Sequence, residues 1–203
     1  MVEDRGIRRI EALVDGVFAI AMTLLALELI PSGSGGGLFR TLAAMWPKFY
    51  AYAMGFLVLG IFWALHHSVF HHIRRFDELL LWLNILFLTF VALVPFSTAV
   101  LGEDISSKSA AALYSGNMTA VSLSLGGIWW YATRRFRLVR PDLDPRLIRH
   151  RRVAFLIVAL GFAAGIGISF LSARLTLALF GLMAAFYIVS SVVWHRRWGS
   201  EPP

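Results

Sequence analysis

The chain has 203 residues, of which 58% are hydrophobic and only 15% charged. A soluble domain carries roughly 25% charged residues, so the composition marks an integral membrane protein. Cysteine is absent, which excludes disulfides and a thiolate metal site. The net charge of +7 is confined to short segments between apolar runs, where basic loops at a membrane face explain it better than nucleic acid.

A spanning helix needs about 20 mostly apolar residues. Six runs qualify, at about 11–30, 46–70, 79–101, 110–133, 153–172 and 175–194. Each is too long and continuous for a barrel strand. The expected fold class is therefore an all-α integral membrane protein of six transmembrane helices, one domain over residues 1–203, with no internal repeat. "PSGSGGG" reads as a flexible loop after the first span, and "SAR" leaves the last two helices as a tight antiparallel hairpin.

Fifteen of the nineteen Lys and Arg residues fall before the first span, after the second, between the fourth and fifth, and after the last. The remaining four are Arg40, Lys48, Lys108 and Arg174. The positive-inside rule then places both termini and the segment 134–152 in the cytoplasm. The first run carries Asp15 and ends in "ELIPSG" rather than a small-x-small cleavage site. It is read as a retained helix and not as a signal peptide.

"RIEALVDGVFAIAMTL" places the Asp15 carboxylate inside an apolar helix, where a charge is costly. Arg9 lies six residues earlier and off the same face, so both residues need partners on other helices. The second span ends "FWALHHSVFHHIRR", with His66 and His67 about one and a half turns from its cytoplasmic end, and "LLLWLNILF" sets Asn84 at a similar depth. Asp15, His66 or His67, and Asn84 are expected to form a polar network across spans one to three, because buried polar groups need partners. Such a network serves packing as readily as function. His67 and His71 share a helix face at i, i+4, but only His150 and His195 remain elsewhere and no intramembrane carboxylate has ligand spacing. No metal site or cofactor is expected, and no enzymatic activity.

Along the first span, Ile20, Leu24 and Leu27 share one face and Thr23 lies beside it. Gly16, Ala19, Ala21 and Ala26 permit close helix approach. Glu28, near the outer end, is placed to concentrate cations or to sit solvated at the helix terminus.

"RIEALVDGVFAIAMTLLALEL" resembles the opening of the transmembrane protein 175 potassium channels, Arg-x-x-x-Phe-Ser-Asp on the first helix. Arg9 matches the arginine and Asp15 the aspartate, while Leu13 and Val14 replace the Phe-Ser pair. "FWALHHSVF" and "LLWLNILFLTFVALVPF" extend the resemblance, which is most specific over residues 9–96. It implies a bacterial, plasma-membrane homotetramer of six-helix subunits in which the first helices line a central pore. It implies potassium as the permeant ion, a hydrophobic constriction at Ile20, further apolar rings at Leu24 and Leu27, and a selectivity role for Thr23. It also assigns Arg9 and Asp15 to the network that pins the pore helix.

A ring of isoleucines offers no ligand to replace a hydration shell, so it discriminates by the cost of partial dehydration. Potassium holds water less tightly than sodium and meets the lower barrier. Two other functions stay open on the residues alone. One is a proton-permeable or weakly selective channel, with Asp15, His66 and His67 relaying protons; the other is a membrane-embedded metal enzyme.

Overall fold

The computed structural model describes residues 2–30 and 37–198, and within them the side chains of 6–30, 37 and 39–187. The loop expected at 31–36 lies outside these residues. The described chain is all-helical: α1 (Val2–Leu27), α2 (Gly37–Ala44), α3 (Trp46–Phe70), α4 (Glu78–Ala92), α5 (Val94–Glu103), α6 (Lys108–Thr133), α7 (Pro145–Leu171) and α8 (Ala173–Trp198). Among the described residues four segments are long and apolar enough to cross a membrane, Gly6–Leu27, Trp46–Phe70, Glu78–Glu103 and Pro145–Leu171; the expected spans at 110–133 and 175–194 are not among them.

Local chemistry sets the boundaries. The expected helix at 79–101 is two helices, because Pro95 has no N–H to give Val91 and the ladder breaks at Leu93. Asp77 caps α4 by accepting from Leu80 N at 2.9 Å. Ser107 caps α6, accepting from Ala110 N. The fifth helix begins at Pro145 and not at 153, since Asp144 accepts from Arg146 N and Pro145 suits the first helical turn. The first helix likewise begins at Val2 rather than 11 and ends at Leu27, three residues short of the expected 30. The short α2 was not anticipated.

Successive spans run antiparallel, with α4 and α5 continuing one another in the single span Glu78–Glu103. A methyl group at Gly55 of α3 would meet Leu25 of α1 and Thr98 of α5, while at the other end Trp63 meets Asp15 and His66 meets Asn84. Trp129 of α6 donates to the Ile148 carbonyl of α7, and Lys108, at the opposite end of α6, donates to the Phe170 carbonyl. At Gly165 a Cβ would lie 2.9 Å from Phe180 and 3.0 Å from Ser115 Oγ, so α6, α7 and α8 approach closely there. One end of the bundle thus gathers the start of α1, residues 70–78 and residues 131–150.

The α6 helix is the packing centre. It buries Tyr114, Ser115, Met118, Val121, Ser122, Leu125, Ile128 and Trp129. Its serines and threonines return their hydroxyl protons to the helix: Ser115 to Ala111 O, Ser122 to Met118 O and Thr133 to Trp129 O. Beyond α6, Arg135 and Phe136 both adopt φ of 54°, turning the chain back sharply. The Leu138 carbonyl then accepts from the Arg74 and Arg75 amides at 2.8 and 3.1 Å, and Ile73 pairs with Val139. This strap ties the α3–α4 connection to the α6–α7 connection.

Candidate functional site

The α1 helix has two faces. Ile7, Ile10, Val14, Phe18, Ala21 and Leu25 recur at helical spacing and are buried against the rest of the chain. The opposite face is open: Ile20 is 61% exposed, Leu24 42% and Leu27 58%. Gly16 lies on this side, and a Cβ there would meet nothing within 4 Å. Arg9, Leu13, Ala19, Thr23 and Ala26 are exposed as well. Thr23 Oγ1 donates to the Ile20 carbonyl at 2.8 Å, so its proton is held by its own helix and its oxygen lone pairs remain. Met22, by contrast, sits against Gly60 of α3.

The expected network divides into two parts. His66 is 2% exposed, and its Nε2 lies 2.9 Å from Asn84 Oδ1. The imidazole is stacked between Phe70, at 4.2 Å, and Phe87, at 5.3 Å. This pair joins α3 to α4. In this orientation the imidazole donates from Nε2, and Asn84 Nδ2 has no partner among the described residues. Asp15 belongs to the second part. It is exposed, and its Oδ1 accepts from Trp63 Nε1 at 2.8 Å. The Trp63 ring in turn stacks on His67, 6.1 Å away. This trio joins α1 to α3.

Sequence reasoning missed Trp63. The signal was available: an indole N–H in a lipid-facing helix must find an acceptor, and Trp63 stands one turn before His66 and His67. Arg9 is exposed, and among the described residues no hydrogen bond joins it to either part. Val14 is buried, which fits the methyl groups that replace the motif hydroxyl.

Glu11, Val14, Asp15, Trp63, His66 and His67 line an open cleft of about 140 Å³ between α1 and α3. The two parts therefore face one space, with the buried imidazole at its floor and the carboxylates at its rim. At the other end of α1, Glu28 is exposed and borders a crevice of about 10 Å³ with Lys48, Tyr52 and Thr98. Lys48 offsets part of the negative potential that Glu28 alone would project. Among the described residues no group of three or more His, Asp or Glu side chains has metal-binding geometry.

Comparison with known proteins places these features in a context. Residues 9–95, which hold most of α1, all of α2, α3 and α4 and the start of α5, match the family model described as Endosomal/lysosomal potassium channel TMEM175. The chain is 44% identical over 200 residues to a protein of Streptomyces collinus named as a potassium channel, covering 96% of this chain and 97% of that one. Its fold superposes on the crystal structure of a lysosomal potassium-selective channel TMEM175 homolog from Chamaesiphon minutus with a TM-score of 0.82, at 28% identity, over 91% of this chain and 97% of that one. A Mus musculus protein named endosomal/lysosomal proton channel TMEM175 is 38% identical over 97 residues, which are 43% of this chain and 19% of that one.

Proposed function

This chain belongs to the Endosomal/lysosomal potassium channel TMEM175 family and is a potassium channel, and from that premise we propose that ions cross it through a central pore lined by α1 of four copies. The observation that carries this reading is the division of α1. One stripe, from Ile7 to Leu25, anchors the helix in its own subunit. The other, with Ile20, Leu24 and Leu27, is apolar and unoccupied within the subunit. Four such faces around an axis enclose a path, and Gly16 and the alanines let the helices approach.

In this reading Ile20 forms the narrowest ring and Leu24 and Leu27 form further rings. No methyl group replaces a hydration shell, so the ring acts by size and dewetting. Thr23, with its lone pairs free, adds polarity beside the Ile20 ring and tunes selectivity. Glu28 draws cations to the outer mouth, weakened by Lys48. The Asp15–Trp63 bond and the His66–Asn84 pair hold α1 against α3 and α3 against α4, fixing the angle at which α1 meets the pore axis, with His67 stacked on Trp63. Arg9, exposed and without a partner among the described residues, is left to pair across subunits.

The subunit is read as a single unit of six spans. The α6 helix is not among the four candidate spans, but its 26 residues, about 39 Å, suffice to cross. Its Ser115, Ser122 and Thr133 side chains are buried in protein. The antiparallel order puts the arginine-rich connections and the start of α1 at one end, taken as cytoplasmic. The proposed setting is the plasma membrane of a bacterium, as a multi-pass protein. The partners are the lipid bilayer and three copies of the same chain, and no nucleic acid takes part.

Proton permeation is a second reading. It is favoured by the open cleft that brings Asp15, His66 and His67 together and by the name of the Mus musculus relative. Reversal potentials in proteoliposomes under potassium, sodium and proton gradients separate the two. A potential that follows the potassium gradient supports the first reading; one that follows the proton gradient supports the second.

A further inference from the structure

At the arginine-rich end of the bundle, cations converge on one imidazole. His72 follows α3, and its Nδ1 lies 2.8 Å from the Ser68 carbonyl. Its ring meets the Trp129 indole edge-on at 5.9 Å. Arg151 donates from Nη2 to the Ser68 hydroxyl at 2.8 Å and stands over the same indole, 5.4 Å from the ring centre. Arg74 and His71 stand close enough to act on His72 through their charge. Burial holds His72 below the usual histidine range. The Ser68 carbonyl opposes this by favouring its protonation, while Arg151, His71 and Arg74 reinforce it.

A loop that is basic only to set topology spreads its arginines into water. Here Ser68 and Trp129 fix Arg151 in place beside a second basic group, and the strap through Leu138 fixes the backbone of Arg74. The carboxylates of the two connections are committed elsewhere. Asp77 accepts from Leu80 N and the Tyr131 hydroxyl and pairs with Arg137 at 3.4 Å. Asp142 pairs with Arg140 at 2.7 Å, and Asp144 caps α7. One residue along α7, Arg152 donates from Nη2 to Thr133 Oγ1 at 2.8 Å, yet its buried Nε has no partner among the described residues. Arg152 is thus turned to Thr133 and is not part of the group around His72; with the nearby carboxylates committed, the positive charge gathered at His72 and Arg151 calls for an anion from outside the chain.

We propose that the corner formed by Ser68, His71, His72, Arg74, Trp129 and Arg151 binds the phosphate of an anionic phospholipid headgroup. Guanidinium forks match phosphate oxygens, and the His72 imidazole, whose Nδ1–H is given to the Ser68 carbonyl, supplies an Nε2–H and a further positive charge when the anion draws a proton onto it. Lipid is the source because of depth. The corner lies where α3 and α6 end, and next to it Trp130 is exposed with Arg134 5.0 Å over its ring, an aromatic and basic pair suited to the headgroup layer. Bound there, one lipid would clamp the ends of α3, α6 and α7 together. The six-span orientation decides only which leaflet supplies the lipid; binding itself does not depend on it.

The test uses the purified full chain, offered phosphatidylglycerol and phosphatidylcholine together and read by native mass spectrometry. The wild type should retain phosphatidylglycerol in preference. Arg74→Gln removes an exposed charge from the corner without touching the core and should reduce that preference about fivefold. Arg75→Gln changes the net charge equally but lies outside the group that faces His72, and it should keep the preference. No preference in the wild type, or the same loss in Arg75→Gln, overturns the site. Displacement of phosphatidylglycerol by excess inorganic phosphate would make the site one for a soluble anion and overturn its assignment to lipid.

Discussion

The α1 and α6 helices are equal in length, 26 residues each, and treat their side chains in opposite ways. The α1 helix is strongly apolar but leaves half its surface open, including Ile20, Leu24 and Leu27. The α6 helix is rich in serine, threonine and glycine, yet buries thirteen residues and touches α4, α5, α7 and α8. In water the more apolar helix would be the buried one. In lipid the tails are as apolar as leucine, so apolarity no longer drives helices together. Packing shape and hydrogen bonding then select the centre, and small or hydroxyl-bearing residues go there. The open apolar face of α1 is stable in that solvent, which leaves it available to line a pore.

Substitutions can break this comparison, and the expected effects on stability fall in a definite order. Trp129→Ala in α6 should have the largest effect. It empties a fully buried site at the arginine-rich end of the bundle, removes the bond to the Ile148 carbonyl and the support under Arg151, and should cost about 3–5 kcal/mol. Thermal melting of the purified protein reads it. Asn84→Ala should come next, at about 1–3 kcal/mol, because it strands the buried His66 Nε2.

Asp15→Ala should cost less than Asn84→Ala, because Asp15 is exposed and leaves only Trp63 Nε1 to find another acceptor. Glu28→Ala should be smallest, within about 0.5 kcal/mol, since the Glu28 side chain is exposed and bonds to none of the described residues. If Asp15→Ala melts the protein as far as Trp129→Ala does, the α1 face is not a surface the subunit leaves open.

Orientation sharpens the comparison by a separate route. Reporter fusions at positions 34, 106 and 145 should give outer-side activity at the first two and cytoplasmic activity at the third. Outer-side activity at 145 would contradict the six-span arrangement.

Much of this was legible in the sequence. Four of the six expected spans followed from apolar length, and the open α1 stripe from its helical spacing. The His66–Asn84 pair followed from shared depth. Other features were not, for particular reasons. The break at Leu93 lay in Pro95, whose missing N–H matters more than the unbroken apolar run around it. The early start of α7 lay in the Asp144-Pro145 pair, a helix-initiation signal that a count of apolar residues ignores. The partner of Asp15 proved to be Trp63, an aromatic to which the apolar pattern gave no role although its N–H needed an acceptor. That α6 forms the centre could not be read from hydropathy, because in lipid burial and apolarity are uncoupled.

The central claim is that the open face of α1 discriminates ions at Ile20. Bilayer recordings of Ile20→Asn under opposed potassium and sodium gradients test it most directly, with Met22→Asn, on the face turned to Gly60, as the control. An amide at position 20 admits water and offers an oxygen to the ion. Conductance should rise and the reversal potential should move toward the value for no selectivity, while Met22→Asn leaves the reversal potential near that of the wild type. An unchanged reversal potential and conductance in Ile20→Asn, with selectivity abolished by Thr23→Ala instead, would assign the filter to Thr23 and contradict the account.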